Sequence, residues 1–62
     1  MMLFSPTLDE QIGCVEREIA LRRRAYPRFI FNHRMSREKA DREIELMEHV
    51  LQTLQRLKRE AL

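Results

Sequence analysis

Residues 25–36, AYPRFIFNHRMS, separate two longer amphipathic segments of the chain. Pro27 has no backbone N–H and its ring clashes with the carbonyl four residues earlier, so a helix arriving here must either end or bend and resume. We expect a bend, because residues 28–31 hold three large apolar side chains and no turn former. Asn32 and His33 then reverse the chain, since asparagine tolerates the left-handed backbone conformation.

A helix start signal lies upstream of this stretch. Thr7, followed three residues later by Glu10, matches a capping box in which Thr7 is the N-cap. Apolar residues then recur at steps of four, three and four, which is the spacing of a helix that packs along one side. These residues are Leu8, Ile12, Val15 and Ile19, flanked by Cys14, Leu21 and Ala25. The pattern predicts a first helix over about 7–31, kinked at Pro27.

A second helix is predicted after the turn. Ser36 is its expected N-cap, with Met35 and Ala40 forming a hydrophobic staple across it. One apolar seam, again at steps of four and three, comprises Ala40, Ile44, Met47, Leu51 and Leu54. A second, overlapping seam comprises Met47, Val50, Leu54 and Leu57, and Leu46 widens the same face. We predict a turn over about 32–35 and a second helix over about 36–60.

The order helix, turn, helix predicts the all-α class, with residues 1–62 folded as one antiparallel two-helix hairpin. The apolar surface of the second helix exceeds what one neighbouring helix covers. A chain of 62 residues is also marginally stable alone, and its single cysteine rules out an intrachain disulfide. We therefore expect two hairpins to pair as a homodimeric four-helix bundle. The predicted interface residues are Met47, Val50, Leu54 and Leu57.

Positive charge is concentrated in the middle of the chain. There are 12 basic and 10 acidic residues, for a formal net charge of +2. Residues 22–42 hold eight basic and two acidic residues, whereas residues 1–21 and 43–62 are each net acidic. Arginines beside aromatic residues are typical of interaction hot spots. Two alternatives stay open: the arginines could form a solvated helix end, and the aromatic residues could close the end of the helical bundle. The predicted partner-binding residues are Arg24, Arg28, Phe29, His33, Arg34 and Arg37.

The sequence holds no pattern for catalysis, cofactor binding or metal binding. Cys14 lies beside the first seam, which predicts a small buried or interfacial hydrophobic residue rather than a nucleophile. His49 follows Glu45 by one helical turn, but the surrounding stripe is polar and indicates a solvated face. His33 suits an exposed turn. We therefore expect no enzyme activity, no cofactor, no metal and no small-molecule substrate.

Three strings of the sequence carry a resemblance. CVEREI at 14–19, RRRAYPR at 22–28, and RMS with KADREI within 34–44 resemble a group of small, uncharacterised helical proteins encoded by bacteriophages and proteobacterial prophages. The similarity spans about residues 9–54. The chain departs from that group at Phe29 and His33, near which relatives carry tryptophan and glycine. The resemblance implies a phage or prophage setting and no particular activity.

The apolar residues 1–4 form a run that ends at Ser5-Pro6, which is too short for a secretory signal or a membrane helix. Together with the lone thiol, this predicts a protein in the cytoplasm of the bacterial host, without membrane contact.

We expect a non-enzymatic interaction protein that binds itself and a host protein, which it modulates. The alternatives are a nucleic-acid-binding accessory protein that uses the basic hairpin apex, and a structural assembly piece.

Overall fold

A computed structural model describes residues 5–61 of the chain. These residues form two α-helices, α1 over Leu8–Phe31 and α2 over Arg37–Glu60, and they contain no β-strand. The helices pack against each other along their lengths. Asp9 near the start of α1 contacts Lys58 near the end of α2, so the two helices run antiparallel. The predicted all-α hairpin is confirmed.

Both predicted helix starts are confirmed by their capping hydrogen bonds. The Thr7 N–H donates to Glu10 Oε1 at 2.9 Å, and the Glu10 N–H donates back to Thr7 Oγ1 at 3.1 Å. The Ser36 hydroxyl oxygen accepts a hydrogen bond from the Lys39 N–H at 3.1 Å. Each cap satisfies an N–H group that has no partner within the first helical turn, and so fixes where its helix begins.

Pro27 lies inside α1, which continues without interruption to Phe31. Because proline has no N–H, the helical hydrogen bond from residue 27 to the Arg23 carbonyl is missing. The helix therefore continues past Pro27 to Phe31, as the sequence predicted, and does not end near Ala25. The accompanying kink stays a prediction.

The end of α1 corrects one prediction about the turn. His33, with φ of 59°, is the residue in the left-handed conformation, whereas Asn32 has φ of −86°. The His33 N–H donates to the Ile30 carbonyl at 3.1 Å, and the Arg34 N–H donates to the Phe29 carbonyl at 2.8 Å. This pair of bonds is a Schellman motif, in which the left-handed residue follows the C-cap. Asn32 is the C-cap itself, so the reversal falls one residue later than expected.

The core between the helices is thin. Among the described residues only Ile19 and Ala40 are buried, with 8% and 3% of their surface exposed. The remaining residues of the two main seams are half-buried between the helices. Cys14 is exposed in the single chain, so of the two expectations for it, a buried or an interfacial residue, only the interfacial one stays as a prediction. It occupies the flank of the α1 seam, which a single neighbouring helix does not reach.

Candidate interaction surfaces

The three consecutive arginines of α1 point in different directions. Arg22 Nε lies 2.8 Å from Glu18 Oε1 on its own helix, and its Nη1 lies 4.0 Å from Glu43 Oε1 of α2. Hydrogen bonding to Glu18 raises the pKa of the Arg22 guanidinium above its ordinary value. Arg23 Nη2 lies 2.6 Å from Glu48 Oε2 of α2. Successive helical residues are rotated by about 100°, so Arg24 is directed to a third side of the helix.

These pairs remove part of the predicted positive patch. Arg22 and Arg23 belong to the basic middle of the sequence, and both are compensated by carboxylates of α2. Within α2, Arg42 Nη1 lies 3.4 Å from Glu45 Oε1, three residues along the same helix.

Four of the arginines that have no carboxylate partner among the described residues lie at the turn end of the hairpin. We name this cluster the basic apex; it comprises Arg24, Arg28, His33, Arg34 and Arg37. All five side chains are exposed. Within residues 5–61, no carboxylate lies within 4.0 Å of any of the four arginines. The structure therefore brings the predicted basic residues to one end of the molecule, with their guanidinium groups open to solvent.

The aromatic residues at this end divide into two kinds. Phe29, a predicted partner-binding residue, is half-buried and its ring centroid lies 6.2 Å from that of Tyr26, with an interplanar angle of 39°. The two rings form a tilted aromatic pair near the end of α1. Phe31 is 83% exposed and is the most exposed large apolar side chain described. Phe31 directly follows Ile30 in the helix, so its side chain is turned away from the seam. This position in the helical repeat is the feature of the sequence that indicates the exposure of Phe31.

Several exposed apolar residues lie on one side of the hairpin. We name it the apolar face; its exposed members are Cys14 and Leu21 of α1, and Leu46, Val50 and Leu57 of α2. The four large side chains among them are 43–58% exposed. Cys14 and Val50 line one groove together with Leu54, and Leu46 and Val50 line the adjoining groove. Exposed apolar side chains grouped in this way mark an interaction surface.

The predicted interface residues fall into two pairs. Val50 and Leu57 belong to the apolar face, whereas Met47 and Leu54 are half-buried. Leu21 was not among the predicted interface residues. It lies seven residues after Cys14, and that spacing puts both on the same side of α1. Their shared side of the helix was readable from the sequence, but their exposure depends on how α1 is rotated against α2.

Neither a metal site nor a membrane span is found in the described part of the chain. No group of three histidine, cysteine, aspartate or glutamate side chains in residues 5–61 is arranged to hold a metal ion. Neither α1 nor α2 has an apolar stretch of the length that crossing a bilayer requires. Comparisons with protein-family models, curated proteins and solved structures found no match.

Proposed function

We propose that the protein is a non-enzymatic interaction protein that dimerises through its apolar face and binds an acidic partner protein through its basic apex. The observation that carries the second part is the contrast among the arginines. Arg22 and Arg23 have carboxylate partners, but those of the basic apex have none within 4.0 Å in residues 5–61. In the phage or prophage setting that the resemblance implies, the partner is a host protein whose activity is modulated by binding.

Phe31 supports a protein partner. It is 83% exposed at the end of α1, beside His33 and Arg34. An exposed ring next to guanidinium groups supplies both apolar area and directional hydrogen bonding, the combination that dominates the binding energy of many protein interfaces. Phe31 packs little against its own chain, so only contact with a second molecule would bury its ring.

The apolar face supports the homodimer, in which two hairpins form a four-helix bundle. The chain has two buried residues among those described, while Leu21, Leu46, Val50 and Leu57 remain substantially exposed. Pairing two copies removes this surface from water at about 25 cal/mol per Å² and adds a second layer to the thin core.

The dimer is tested by light scattering at micromolar concentrations, where a dimer mass is expected. Leu57→Glu introduces a charge into the apolar face and should yield a monomer that keeps its helical circular dichroism. Gln52→Glu makes the same charge change at an exposed position of α2 outside that face, and it should stay dimeric. A monomeric wild type would contradict the proposed assembly.

The partner is tested by affinity capture from nuclease-treated bacterial lysate. An Arg28→Glu, Arg34→Glu variant should lose the captured protein, because its apex repels an acidic surface. The matched control is Arg56→Glu, Arg59→Glu, which makes the same charge change near the opposite end of the hairpin and should retain capture. Capture should also weaken as salt rises. If nuclease abolishes capture, the nucleic-acid alternative replaces this proposal; if the apex variant retains its partner, the apex is not the site.

A further inference from the structure

Five residues of α1 form one row on the side of the helix that faces away from α2. They follow one another at steps of three, four, four and three residues, so they lie within about 80° of the helix circumference. We name them the outer row: Arg17, Ala20, Arg24, Arg28 and Phe31. All five are exposed, whereas Ile19, the buried residue of α1, lies about 180° from the centre of the row.

The outer row is positively charged and holds no acidic residue. Within residues 5–61, none of its three arginines has a carboxylate within 4.0 Å. Between Arg17 and Phe31 the only acidic residue of the sequence is Glu18, whose Oε1 lies 2.8 Å from Arg22 Nε on the flank nearer α2. The charge of Glu18 is therefore compensated by an arginine outside the row.

The neighbouring carboxylates leave the charge of the row in place. Glu10 is on the same side of α1 but lies about 10 Å before Arg17 along the axis, and its Oε1 accepts the capping hydrogen bond from the Thr7 N–H. Glu16 is rotated by about 100° from Arg17, towards the flank of the helix. The carboxylates of α2 lie beyond the opposite side of α1. A ligand lying along the row from Arg17 to Phe31 therefore meets three positive charges and no negative one.

We propose that the outer row is the docking site for an acidic amphipathic helix of the partner protein. This inference rests on the proposed binding of an acidic partner and specifies the segment that is bound. From Arg17 to Phe31 the row rises about 21 Å, at about 1.5 Å per residue. A second helix lying along it sets three carboxylates, spaced by seven and four residues in either order, opposite Arg17, Arg24 and Arg28. Each guanidinium can bind its carboxylate through two parallel hydrogen bonds.

Two residues of the row favour a helix over a phosphate backbone. Ala20 lies between Arg17 and Arg24, and its short side chain leaves a low point where the side chains of a second helix can pack, with the axes about 8–10 Å apart. Phe31 ends the row with a ring that is 83% exposed, which an apolar residue of the bound helix would cover. A nucleic acid would use the arginines, but its binding would gain nothing from Ala20.

A second copy of this chain fits the outer row less well than an acidic helix does. The exposed side of its α1 is positive and repels the row. The exposed side of its α2 carries Arg42, Arg56 and Arg59 among its carboxylates, so it does not present a row of one sign.

A synthetic peptide tests the docking site. The probe is a fluorescent alanine-rich helix of about 20 residues, with glutamates at steps of four, three and four and a leucine beyond each end of the glutamates. The control peptide has the same composition with its glutamates distributed around the helix. Fluorescence anisotropy should show the ordered peptide bound at least about fivefold more tightly than the control, and more weakly as salt rises. Equal affinities, or no binding of the ordered peptide at about 1 mM, would overturn the proposal.

Arg17→Glu separates the outer row from the basic apex, because Arg17 belongs to the row alone. This variant should bind the ordered peptide about fivefold more weakly than the wild type does. The matched control is Arg59→Glu, which makes the same charge change at an exposed position of α2 and should bind within about twofold of the wild type. Circular dichroism establishes that both variants are folded.

The outcomes distinguish this inference from the proposed function. If Arg17→Glu binds the ordered peptide as the wild type does while Arg28→Glu, Arg34→Glu does not bind it, the outer row is not the site and the apex remains the site for an acidic partner. If both variants bind as the wild type does, the proposed function fails as well. Tighter binding of a DNA oligonucleotide than of the ordered peptide, lost in Arg17→Glu, would make nucleic acid the occupant. A change of mass in light scattering on Arg17→Glu would make it a second copy.

Discussion

Arg23 and Glu48 lie 25 residues apart in the sequence, and their side chains meet across the hairpin with Nη2 2.6 Å from Oε2. The pair connects the fifth turn of α1 to the middle of α2. Together with the contact between Arg22 and Glu43, it explains why the basic run at 22–24 is not a single patch, because two of its three charges are compensated by the opposite helix. Both side chains are about half exposed, so water screens their attraction.

A double-mutant cycle of Arg23→Ala and Glu48→Ala should give a coupling free energy of about 0.5–1 kcal/mol, measured by urea unfolding. The coupling should decrease as salt is raised, because the pair is exposed. Arg56 and Glu60, whose Nε and Oε1 are 3.8 Å apart on one helix, provide the comparison and should couple more weakly. A coupling above about 2 kcal/mol would indicate a pair shielded from water, contrary to the structure.

His33→Gly should stabilise the hairpin by about 1 kcal/mol. His33 is held at φ of 59°, a conformation that costs a residue with a Cβ but not glycine. Asn32→Gly is the matched control: at φ of −86° it relieves nothing and should destabilise slightly through the greater freedom of the unfolded chain. Thermal unfolding at one fixed protein concentration separates the two. Equal effects from both substitutions would show that His33 carries no strain.

Pro27→Ala should raise the unfolding free energy by about 2 kcal/mol. The substitution restores the N–H that can donate to the Arg23 carbonyl and removes the ring clash, which together cost about 3 kcal/mol in a helix interior; the loss of proline's rigidity in the unfolded chain offsets part of the gain. Pro6→Ala, outside the helix, should bring no gain. A destabilised Pro27→Ala variant would mean that Pro27 makes a packing contact worth more than the hydrogen bond.

Gly13→Ala should stabilise α1 by about 0.5–1 kcal/mol, since alanine is the better helix former. A Cβ at this position would lie 3.4 Å from Arg17 Nη1, at the flexible end of a side chain that can move aside. Circular dichroism during urea unfolding measures the gain. A loss of stability combined with a weaker dimer would reveal that a second chain approaches Gly13 closely.

Glu10 should titrate below its ordinary pKa. The backbone N–H of Thr7 hydrogen-bonds the carboxylate, the Thr7 side chain adds to the effect, and both lower the pKa. Because the folded-state pKa is the lower one, the contribution of Glu10 to stability is present above the ordinary carboxyl pKa and is lost as the pH falls through the folded-state value. Carboxyl NMR titration measures this directly. A Glu10 pKa at or above its unfolded value would show that the capping box is open in solution.

The parts of this fold that the sequence predicted are those set by neighbours along the chain. Thr7 and Glu10 are three residues apart, and the cap at Ser36 involves the backbone three residues later. Each helix start is therefore determined by residues that are close in sequence. The main seams follow from helical periodicity. For the same reason, the predicted end of α1 agrees with its end at Phe31, although Asn32 is the C-cap and the left-handed position belongs to His33.

The parts that could not be predicted depend on how the helices are rotated about their axes. Periodicity places Cys14 and Leu21 on one side of α1, yet only the packed hairpin shows that α2 leaves this side uncovered. The Arg23–Glu48 pair likewise requires the register between the helices. Phe31, the most exposed aromatic residue described, was missing from the predicted site. Phe29 and Phe31 are the same residue type two positions apart, and the sequence alone did not show which of the two rings faces away from α2.

The short connection between the helices also governs how quickly the chain folds. Residues 32–36 close a loop that forms on a timescale of tens of nanoseconds, and the helices on either side form within about a microsecond. Residues that contact each other near the turn are close in sequence. The two helices can therefore pair step by step from the turn towards the open end, and little chain entropy is lost at each step. In the proposed dimer, association of two chains is bimolecular, and it is therefore the step whose rate would change with protein concentration. Stopped-flow refolding should accordingly show a fast phase independent of concentration, followed by a slower phase that speeds up as the chain is made more concentrated.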